Sequence, residues 1–329
     1  MKTIFVVNPK AGKGSLTQNL VESIKDYAAK SDAEIQIYMT KSQGDAQRFV
    51  KEYCERLGGA RFIACGGDGT LSEVLNGAAN FPDAEIGVLP MGTGNDFCRN
   101  FKGADFGDID AQINGAAIPC DAIKYSSVTD GREHSGYSIN MFNIGFDCNV
   151  ADMTSEVKER TFISGSPAYL VSIFVNLIKK RGANLKIEID GAVCENGAVL
   201  LTSIANGCYC GGGIKSNPLA SVHDGFININ IIKNVSRLQF MRLLPHYMKG
   251  TFLKLKGIEK IISSEKCKRV VITPIGKNMR LCNDGEISTA GRTEFEIVPD
   301  AFNFVVPYNK NTDCRDICKP LFIQKTRAD

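Results

Sequence analysis

The chain has 329 residues, of which 43% are hydrophobic, and its 39 basic and 36 acidic residues leave a formal charge of +3. This length exceeds what one hydrophobic core usually supports, so the sequence predicts two domains. A net charge so near zero argues against a nucleic-acid-binding protein, and any basic surface must be local.

Cysteine spacing and apolar runs give expectations about the compartment. Twelve cysteines are scattered irregularly, and the N-terminal residues enter a strand pattern without the apolar core of a signal peptide. We therefore expect reduced thiols in a cytoplasmic protein, without a zinc site. The best candidate for a membrane segment, residues 168–178, stops after eleven residues, which favours a helix packed on a sheet over a membrane span.

The first 120 residues alternate strand and helix patterns. Strands are predicted at Thr3–Asn8, Glu34–Met39, Phe62–Cys65 and Glu85–Leu89, and helices at Leu16–Ala29, Gly44–Leu57 and Leu71–Ala79. Such alternation indicates an open, mainly parallel sheet covered by helices. We predict an α/β nucleotide-binding domain over residues 1–121.

After Asp121 the pattern changes to strands with a period of two. Residues 184–190, 226–231 and 293–297 alternate apolar and polar side chains between glycine and asparagine turns. This pattern is typical of antiparallel sheets with one buried face. We predict a C-terminal antiparallel β-sandwich domain over residues 122–302.

Glycine-rich loops follow three of the N-terminal strands, at residues 8–15, 66–70 and 90–97. Open α/β sheets bind nucleotides outside the carboxyl ends of their strands, where glycines let N–H groups converge on a phosphate. Asp68 would repel a bare phosphate, so it makes most sense facing a magnesium ion, an ordered water or an acceptor hydroxyl. Neither a P-loop nor a G-x-G-x-x-G pattern fits these loops. They therefore predict phosphoryl transfer at a nucleotide site of another type.

The motifs resemble the diacylglycerol kinase catalytic domain of bacterial soluble lipid kinases, which are related to sphingosine and ceramide kinases. The N-terminal half carries Asn8-Pro9, Ala11–Gly14, Gly66–Thr70 and Gly92–Phe97 with Arg99. The C-terminal half carries Asn206–Gly213, Pro218–Ala220, Asp224-Gly225 and Asp284–Glu286 in the expected order. The resemblance extends over residues 1–307, and it implies that the segment 303–329 returns to the first domain.

The resemblance also implies which residues bind ATP and magnesium. The implied ATP site consists of Asn8, Pro9, Lys10, Ala11, Gly12, Thr40, Gly66, Gly67, Asp68, Gly69, Thr70, Leu71, Ser72 and Thr93. The role of Thr40 depends on the resemblance alone. A structural Mg²⁺ is implied at Ser221, Asp224 and Phe226, where Asp224 offers its carboxylate and the other two offer backbone oxygens.

The segment Asp284-Gly285-Glu286 is the best source of a general base. Transfer to an alcohol needs a carboxylate that accepts the hydroxyl proton. In an extended segment Asp284 and Glu286 would point to the same side, so both could face the cleft. The resemblance favours one of them as the base, with Asp68 in the same catalytic network, and the choice between them stays open.

A basic segment, residues 235–269, bears on the partner. It holds nine Lys or Arg and two acids, interleaved with large apolar residues. This composition suits peripheral adsorption to an anionic bilayer at the inner face of the membrane, and it equally suits a solvated helical face. We expect a lipid substrate at a membrane surface and no nucleic-acid partner, and a homodimer stays open.

The favoured function is ATP-dependent phosphorylation of a lipid hydroxyl, with diacylglycerol as the acceptor. Another lipid alcohol, such as a sphingoid base or phosphatidylglycerol, is the alternative within the same chemistry. NAD kinases share the Gly-Gly-Asp-Gly loop, but they are not known for the Gly-Thr-Gly-Asn-Asp-Phe turn. A nucleotide-binding regulator without catalysis would not need Asp284 or Glu286, and both are present.

Overall fold

The computed structural model describes residues 1–12, 14–145 and 182–307. The apolar run 168–178 and the segment after 307 lie outside the described residues. The chain divides into two compact units. Unit 1 contains Met1–Ala122 and the segment that starts at Pro299, and unit 2 contains Ile123–Val298.

Unit 1 is built on a parallel sheet. Its strands are β1 (Thr3–Val7), β2 (Ile35–Met39), β3 (Arg61–Gly66) and β4 (Glu85–Pro90), and its helices are α1 (Gly14–Lys30), α2 (Asp45–Leu57), α3 (Asp68–Ala78) and α4 (Ile109–Asn114). The strand order is β4-β3-β1-β2, with each neighbouring pair parallel. Residues 3–7 of β1 are all buried, as expected for a strand covered on both faces.

The last strand of the described chain, β15 (Arg292–Val306), completes the sheet of unit 1. Its C-terminal part runs parallel to β4, with Phe304 opposite Ile86. Phe304 is fully buried, and its ring lies 4.9 Å from the ring of Phe97 and 5.1 Å from that of Phe101. A strand from the far end of the sequence therefore supplies part of the core of unit 1.

Unit 2 consists mainly of antiparallel strands. They are β5 (Ala116–Thr129), which begins in unit 1, β6 (Arg132–Ser138), β7 (Met141–Gly145), β8 (Ala183–Ile189), β9 (Ala192–Ala205), β10 (Ile227–Lys233), β11 (Ile262–Cys267), β12 (Arg269–Pro274), β13 (Met279–Asn283), β14 (Glu286–Ala290) and the first part of β15. Neighbouring strands β7, β9, β10 and β11 pair in antiparallel fashion, as do β8 and β12. Phe142, Ile187, Ile229 and Phe295 contribute to its main apolar core.

The helix α5 (Arg237–Met248) lies in unit 2 between β10 and β11. It begins with a capping box in which Ser236 accepts a hydrogen bond from the Gln239 N–H, while Gln239 accepts one from the Ser236 N–H. Leu243 and Tyr247 of α5 are buried in a second apolar cluster of this unit. Within the described residues, none of the helices is both long and apolar enough to cross a membrane.

The predicted fold class is confirmed, because a parallel α/β sheet is followed by antiparallel strands. Among the boundaries predicted in unit 1, the largest difference is at α3, which begins at Asp68 rather than Leu71. Gly67 takes the extended N-cap position with φ −98°, so the residues 68–70 form the first helical turn. The glycine-rich loop is therefore partly the start of the helix.

Candidate active site

The predicted ATP loops lie together at one edge of the parallel sheet of unit 1. The Thr40 N–H donates to the Val7 carbonyl at 2.9 Å, and the Asn8 N–H donates to the Cys65 carbonyl at 3.0 Å. The Met91 N–H donates to the Gly66 carbonyl at 2.8 Å. The carboxyl ends of β1 to β4 are thus joined, at the position where open α/β sheets bind ligands.

Two of the glycine-rich loops approach each other backbone to backbone. A Cβ atom on Gly92 would lie 2.7 Å from the Gly67 Cα, and one on Gly94 would lie 2.7 Å from the Asp68 Oδ2. Two carbon atoms 2.7 Å apart would clash, so any larger residue at position 92 would push the two loops apart. The glycines are therefore required by the contact between the loops as well as by any ligand.

The amino end of α3 presents backbone donors at this edge. The Leu71 N–H donates to the Gly67 carbonyl at 3.2 Å. The N–H groups of Asp68, Gly69 and Thr70 precede this bond and take no part in the helical ladder. The positive end of the helix dipole lies at the same place, which favours a bound anion.

Asn8 organises the first loop. Its side-chain amide donates to the Thr70 hydroxyl at 3.2 Å, and its Oδ1 accepts from the Lys10 N–H at 3.0 Å. Gly12 adopts φ +70°, a conformation that favours glycine. The buried members of the predicted site are Thr40, Gly66, Thr70 and Leu71, and the partly or fully exposed ones are Asn8, Pro9, Lys10, Ala11, Gly12, Gly67, Asp68, Gly69, Ser72 and Thr93.

Asp68 holds the loop of residues 90–97 in place. Its carboxylate accepts hydrogen bonds from the N–H groups of Asn95, Asp96 and Phe97, and the bond to the Asp96 N–H measures 2.8 Å. Burial raises the pKa of Asp68 to about 6, and the nearby charge of Asp96 adds to the effect. Asp96 is also buried, with its Oδ1 3.5 Å from the Arg99 Nε. Two carboxylates thus share one largely buried place beside the loops.

Two further acids position the loop that follows β2, and they are absent from the predicted site. The Asp45 carboxylate accepts from the Lys41 N–H at 2.9 Å and from the Tyr38 hydroxyl at 3.0 Å. Glu73 of α3 accepts from the Gly44 N–H at 2.8 Å. The available sequence signal was their place in the first turns of the predicted helices, Gly44–Leu57 and Leu71–Ala79.

In unit 2 the segment around Asp284 is a tight turn, so the predicted extended geometry is wrong. Asp284 and Gly285 have φ values of +45° and +96° and connect β13 to β14. The Asp284 carboxylate accepts from the Ser138 hydroxyl at 2.9 Å, the Ile139 N–H at 3.1 Å and the Met141 N–H at 2.8 Å. Asp-Gly is a preferred sequence for such hairpin turns, which explains the departure from extended backbone. Asp284 clamps the turn before β7.

Glu286 is the first residue of β14, and its side chain is exposed. Tyr125 lies close enough to Glu286 to be affected by its charge. Burial is the main cause that raises the pKa of the Tyr125 phenol, and the charges of Glu286 and Asp284 raise it further. The Tyr125 ring also packs against Phe142, with centroids 5.1 Å apart. Tyr125 was not singled out from the sequence, because a tyrosine in a strand pattern carries no distinctive signal.

The residues implied for a structural magnesium ion do not fit one as their side chains stand. The Asp224 Oδ2 pairs with the Lys266 ammonium at 2.5 Å, and its Oδ1 accepts from the Phe226 N–H at 3.1 Å. Mg²⁺ needs oxygen ligands in near-octahedral geometry, and an ammonium on the same carboxylate opposes its charge. Among the described residues, no group of three or more His, Cys, Asp or Glu could hold a metal ion.

Comparisons with known proteins agree with the motifs. Residues 2–125 match the family model described as the diacylglycerol kinase catalytic domain. Residues 140–306 match the model described as the YegS C-terminal NAD kinase beta sandwich-like domain. The resemblance found in the sequence is confirmed.

Individual relatives cover nearly the whole chain. A diacylglycerol kinase of Staphylococcus carnosus is 31% identical over 86% of this chain and 87% of its own length. A diacylglycerol kinase of Bacillus subtilis is 28% identical over 93% of this chain and 96% of its own. The crystal structure of a diacylglycerol kinase from Bacillus anthracis has a TM-score of 0.67 at 24% identity, covering 94% and 97% of the two chains, and shares the fold.

Proposed function

The chain belongs to the diacylglycerol kinase catalytic-domain family, and on that basis we propose that it transfers the γ-phosphoryl group of ATP to a lipid hydroxyl. The proposed acceptor is diacylglycerol and the product phosphatidic acid. The observation that carries this proposal is the contact between the two glycine-rich loops at the amino end of α3. It supports a phosphate cradle made of backbone donors.

In the proposed site, unit 1 binds ATP as its magnesium complex. The N–H groups at the start of α3 and the exposed Thr93 suit the phosphate oxygens, because they donate hydrogen bonds without side-chain bulk. Magnesium that arrives with the nucleotide neutralises charge on the transferring phosphoryl group. Asp68 keeps the loop of residues 90–97 in position through its bonds to residues 95–97.

We assign the general base to Glu286. A base must have a lone pair that can reach the proton of the acceptor hydroxyl. The three hydrogen bonds to Asp284 occupy both of its oxygens and fix its orientation, whereas the Glu286 side chain is exposed. Asp284 then positions the turn that carries Glu286. The acceptor hydroxyl oxygen attacks the γ-phosphorus of ATP, Glu286 accepts the hydroxyl proton, and ADP leaves.

The proposed acceptor also indicates where the enzyme acts. Diacylglycerol resides in a bilayer, so the proposed enzyme acts as a cytoplasmic protein that contacts the inner membrane face peripherally. Other lipid alcohols and the ribose of NAD are the competing acceptors.

A transfer assay tests the proposal. Labelled γ-phosphate from ATP with magnesium is offered to diacylglycerol, phosphatidylglycerol, sphingosine and NAD, with the lipids in mixed micelles. We expect phosphatidic acid as the dominant product, and the Glu286→Gln variant serves as the control for contaminating kinases. Transfer to another lipid alone would change the acceptor, and transfer to NAD alone or to none of the four would overturn the proposal.

A further inference from the structure

The helix α5 has a core-facing side and an outer side with distinct compositions. Phe240, Leu243, Leu244 and Tyr247 pack into the second apolar cluster of unit 2. Their spacing of three and four residues places them on one side of the helix. The other side of α5 is therefore turned away from this core.

The outer side combines apolar and basic residues. Leu238 is 62% exposed and Met241 is 50% exposed, and they lie three residues apart, so their side chains are neighbours. Arg242 and Lys249 are exposed and fall on the same side of the helical wheel. The helix α5 contains no acidic residue.

The residues that follow extend the positive charge. Lys254, Lys256 and Lys260 are exposed in the short turns between α5 and β11. Residues 237–260 hold six basic residues and one acid, which gives this segment a charge of +5, against +3 for the whole chain. Positive charge is thus concentrated in α5 and in the turns that follow it along the sequence.

We propose that the outer side of α5 docks on an anionic phospholipid bilayer, and this inference rests on the proposed action on a membrane lipid. Leu238 and Met241 enter the boundary between headgroups and acyl chains, and Arg242 and Lys249 contact lipid phosphates. Two exposed apolar side chains are few for a specific protein interface, which buries about 800 Å² on each partner. Apolar residues flanked by cations are typical of helices that lie in a membrane interface.

Vesicle binding without nucleotide tests this docking. The full chain is sedimented with vesicles of phosphatidylglycerol and phosphatidylcholine, and with vesicles of phosphatidylcholine alone. The Arg242→Glu, Lys249→Glu variant should bind anionic vesicles at least about 25-fold more weakly, since each lost basic residue accounts for about fivefold and each new carboxylate adds repulsion. The Leu238→Gln, Met241→Gln variant should bind about tenfold more weakly.

Matched controls separate these effects from general changes of charge or hydrophobicity. Leu57→Gln with Val193→Gln removes two side chains that are 68% and 56% exposed elsewhere, and Lys25→Glu with Lys30→Glu reverses two exposed charges on α1. Controls that bind like the wild type support the docking. Equal binding by the α5 variants and the wild type would overturn it.

A micelle assay keeps the docking distinct from the proposed function. Short-chain diacylglycerol in neutral detergent micelles requires no anionic surface, so the α5 variants should keep wild-type transfer rates there. Loss of transfer in these micelles would assign α5 to folding or catalysis and overturn a docking role. Absence of transfer by the wild type would defeat the proposed function, while the vesicle comparison would still decide the docking.

A second, independent observation concerns Asp224. Its side chain is 9% exposed, and the Lys266 ammonium, carried by β11, pairs with it at 2.5 Å. We infer that Lys266 takes the structural place that the family resemblance gives to a divalent cation. The pair ties β11 to the turn before β10 without a metal.

Thermal unfolding with and without metal tests this role of Lys266. The wild-type melting temperature should be the same in excess EDTA and in millimolar MgCl₂. Lys266→Met should lower it by about 5 °C, because a largely buried carboxylate loses its partner, whereas Lys25→Met, at an exposed position of α1, serves as the control. A drop of the wild-type melting temperature in EDTA, reversed by Mg²⁺, would overturn the inference.

Discussion

Asp68 in unit 1 and Asp284 in unit 2 have a similar local setting, but different groups surround the two carboxylates. Each precedes a glycine, and each carboxylate accepts hydrogen bonds from the backbone of a neighbouring turn. Asp68 is largely buried and close to Asp96, which raises its pKa to about 6. Asp284 instead receives a hydroxyl and two N–H groups on its two oxygens.

The comparison teaches that an acid in a glycine-rich turn does not reveal its role by its spacing. Both aspartates hold a loop, and what differs is the charge and burial around them. The Asp96 carboxylate beside Asp68 makes ionisation of Asp68 costly. A cation bound nearby, or protonation of Asp68, would relieve this repulsion. The Asp284 carboxylate accepts a hydroxyl as well as two N–H groups, and donors of this kind stabilise a carboxylate.

The largest expected effect tests whether Asp284 holds a turn while Glu286 accepts the proton. Glu286→Gln should lower kcat by about 10² to 10⁴-fold, because the variant loses the proton acceptor. Its melting temperature should stay that of the wild type, since the side chain is exposed. Steady-state kinetics and thermal unfolding measure both, with exposed Glu133→Gln as the control. Full activity of Glu286→Gln would remove it as the base.

The stability of the protein should depend on pH through Asp68. Its folded pKa, about 6, lies above the ordinary value of 3.8, so the folded state holds the proton more tightly than the unfolded state. Asp68 therefore stabilises most below pH 4, and this contribution is lost as pH rises through 6. The loss corresponds to about 3 kcal/mol at most.

The Asp68→Asn variant removes this dependence. Its free energy of unfolding relative to the wild type should rise between pH 4 and pH 7, as measured by urea unfolding followed by circular dichroism. Asn keeps an acceptor for the N–H groups of residues 95–97. A difference between the two proteins that does not change with pH would contradict the raised pKa.

Asp284→Asn should destabilise unit 2 by about 2 kcal/mol. The variant keeps a residue that tolerates positive φ, but it loses the charge that strengthens the bonds from Ser138, Ile139 and Met141. Urea unfolding measures the change, and kcat should fall less than in Glu286→Gln. The same stability as the wild type would show that the clamp contributes little.

Gly92→Ala should have the smallest effect, a destabilisation of about 1 to 2 kcal/mol with weaker ATP binding. The added Cβ would meet the Gly67 Cα at 2.7 Å and spread the two loops. Isothermal titration with a non-hydrolysable ATP analogue measures the affinity. Gly107→Ala is the matched control, since its Cβ would meet only the Asp105 carboxylate at 3.4 Å. If Gly92→Ala binds the ATP analogue as tightly as the wild type, the contact between the loops is not required for nucleotide binding.

The sequence predicted unit 1 better than unit 2 for physical reasons. Strand and helix periods in unit 1 are regular, and the loops follow from the carboxyl ends of parallel strands, so the grouping of Asn8, Gly66 and Gly92 could be predicted. The boundary of α3 was missed, because a glycine at the N-cap gives no side-chain signal. The individual roles within the ATP site stay predictions.

In unit 2 the extended backbone expected around Asp284 was wrong, because an Asp-Gly pair favours a hairpin turn over an extended strand. The pairing of Asp224 with Lys266 could not be predicted, since 42 residues separate them and only strand pairing brings them together. Asp45 and Glu73 were missed for a related reason. Their partners are backbone N–H groups, which the sequence does not display.

The late position of β15 has a consequence for synthesis on the ribosome. The edge of β4 that pairs with β15 stays open, and Phe97 and Phe101 lack the ring of Phe304, until the whole of unit 2 has been translated. At 5 to 20 residues per second this interval lasts roughly 10 to 35 s. During this interval the nascent unit 1 exposes an unpaired strand edge and aromatic rings, so we expect it to be prone to aggregation and to bind chaperones.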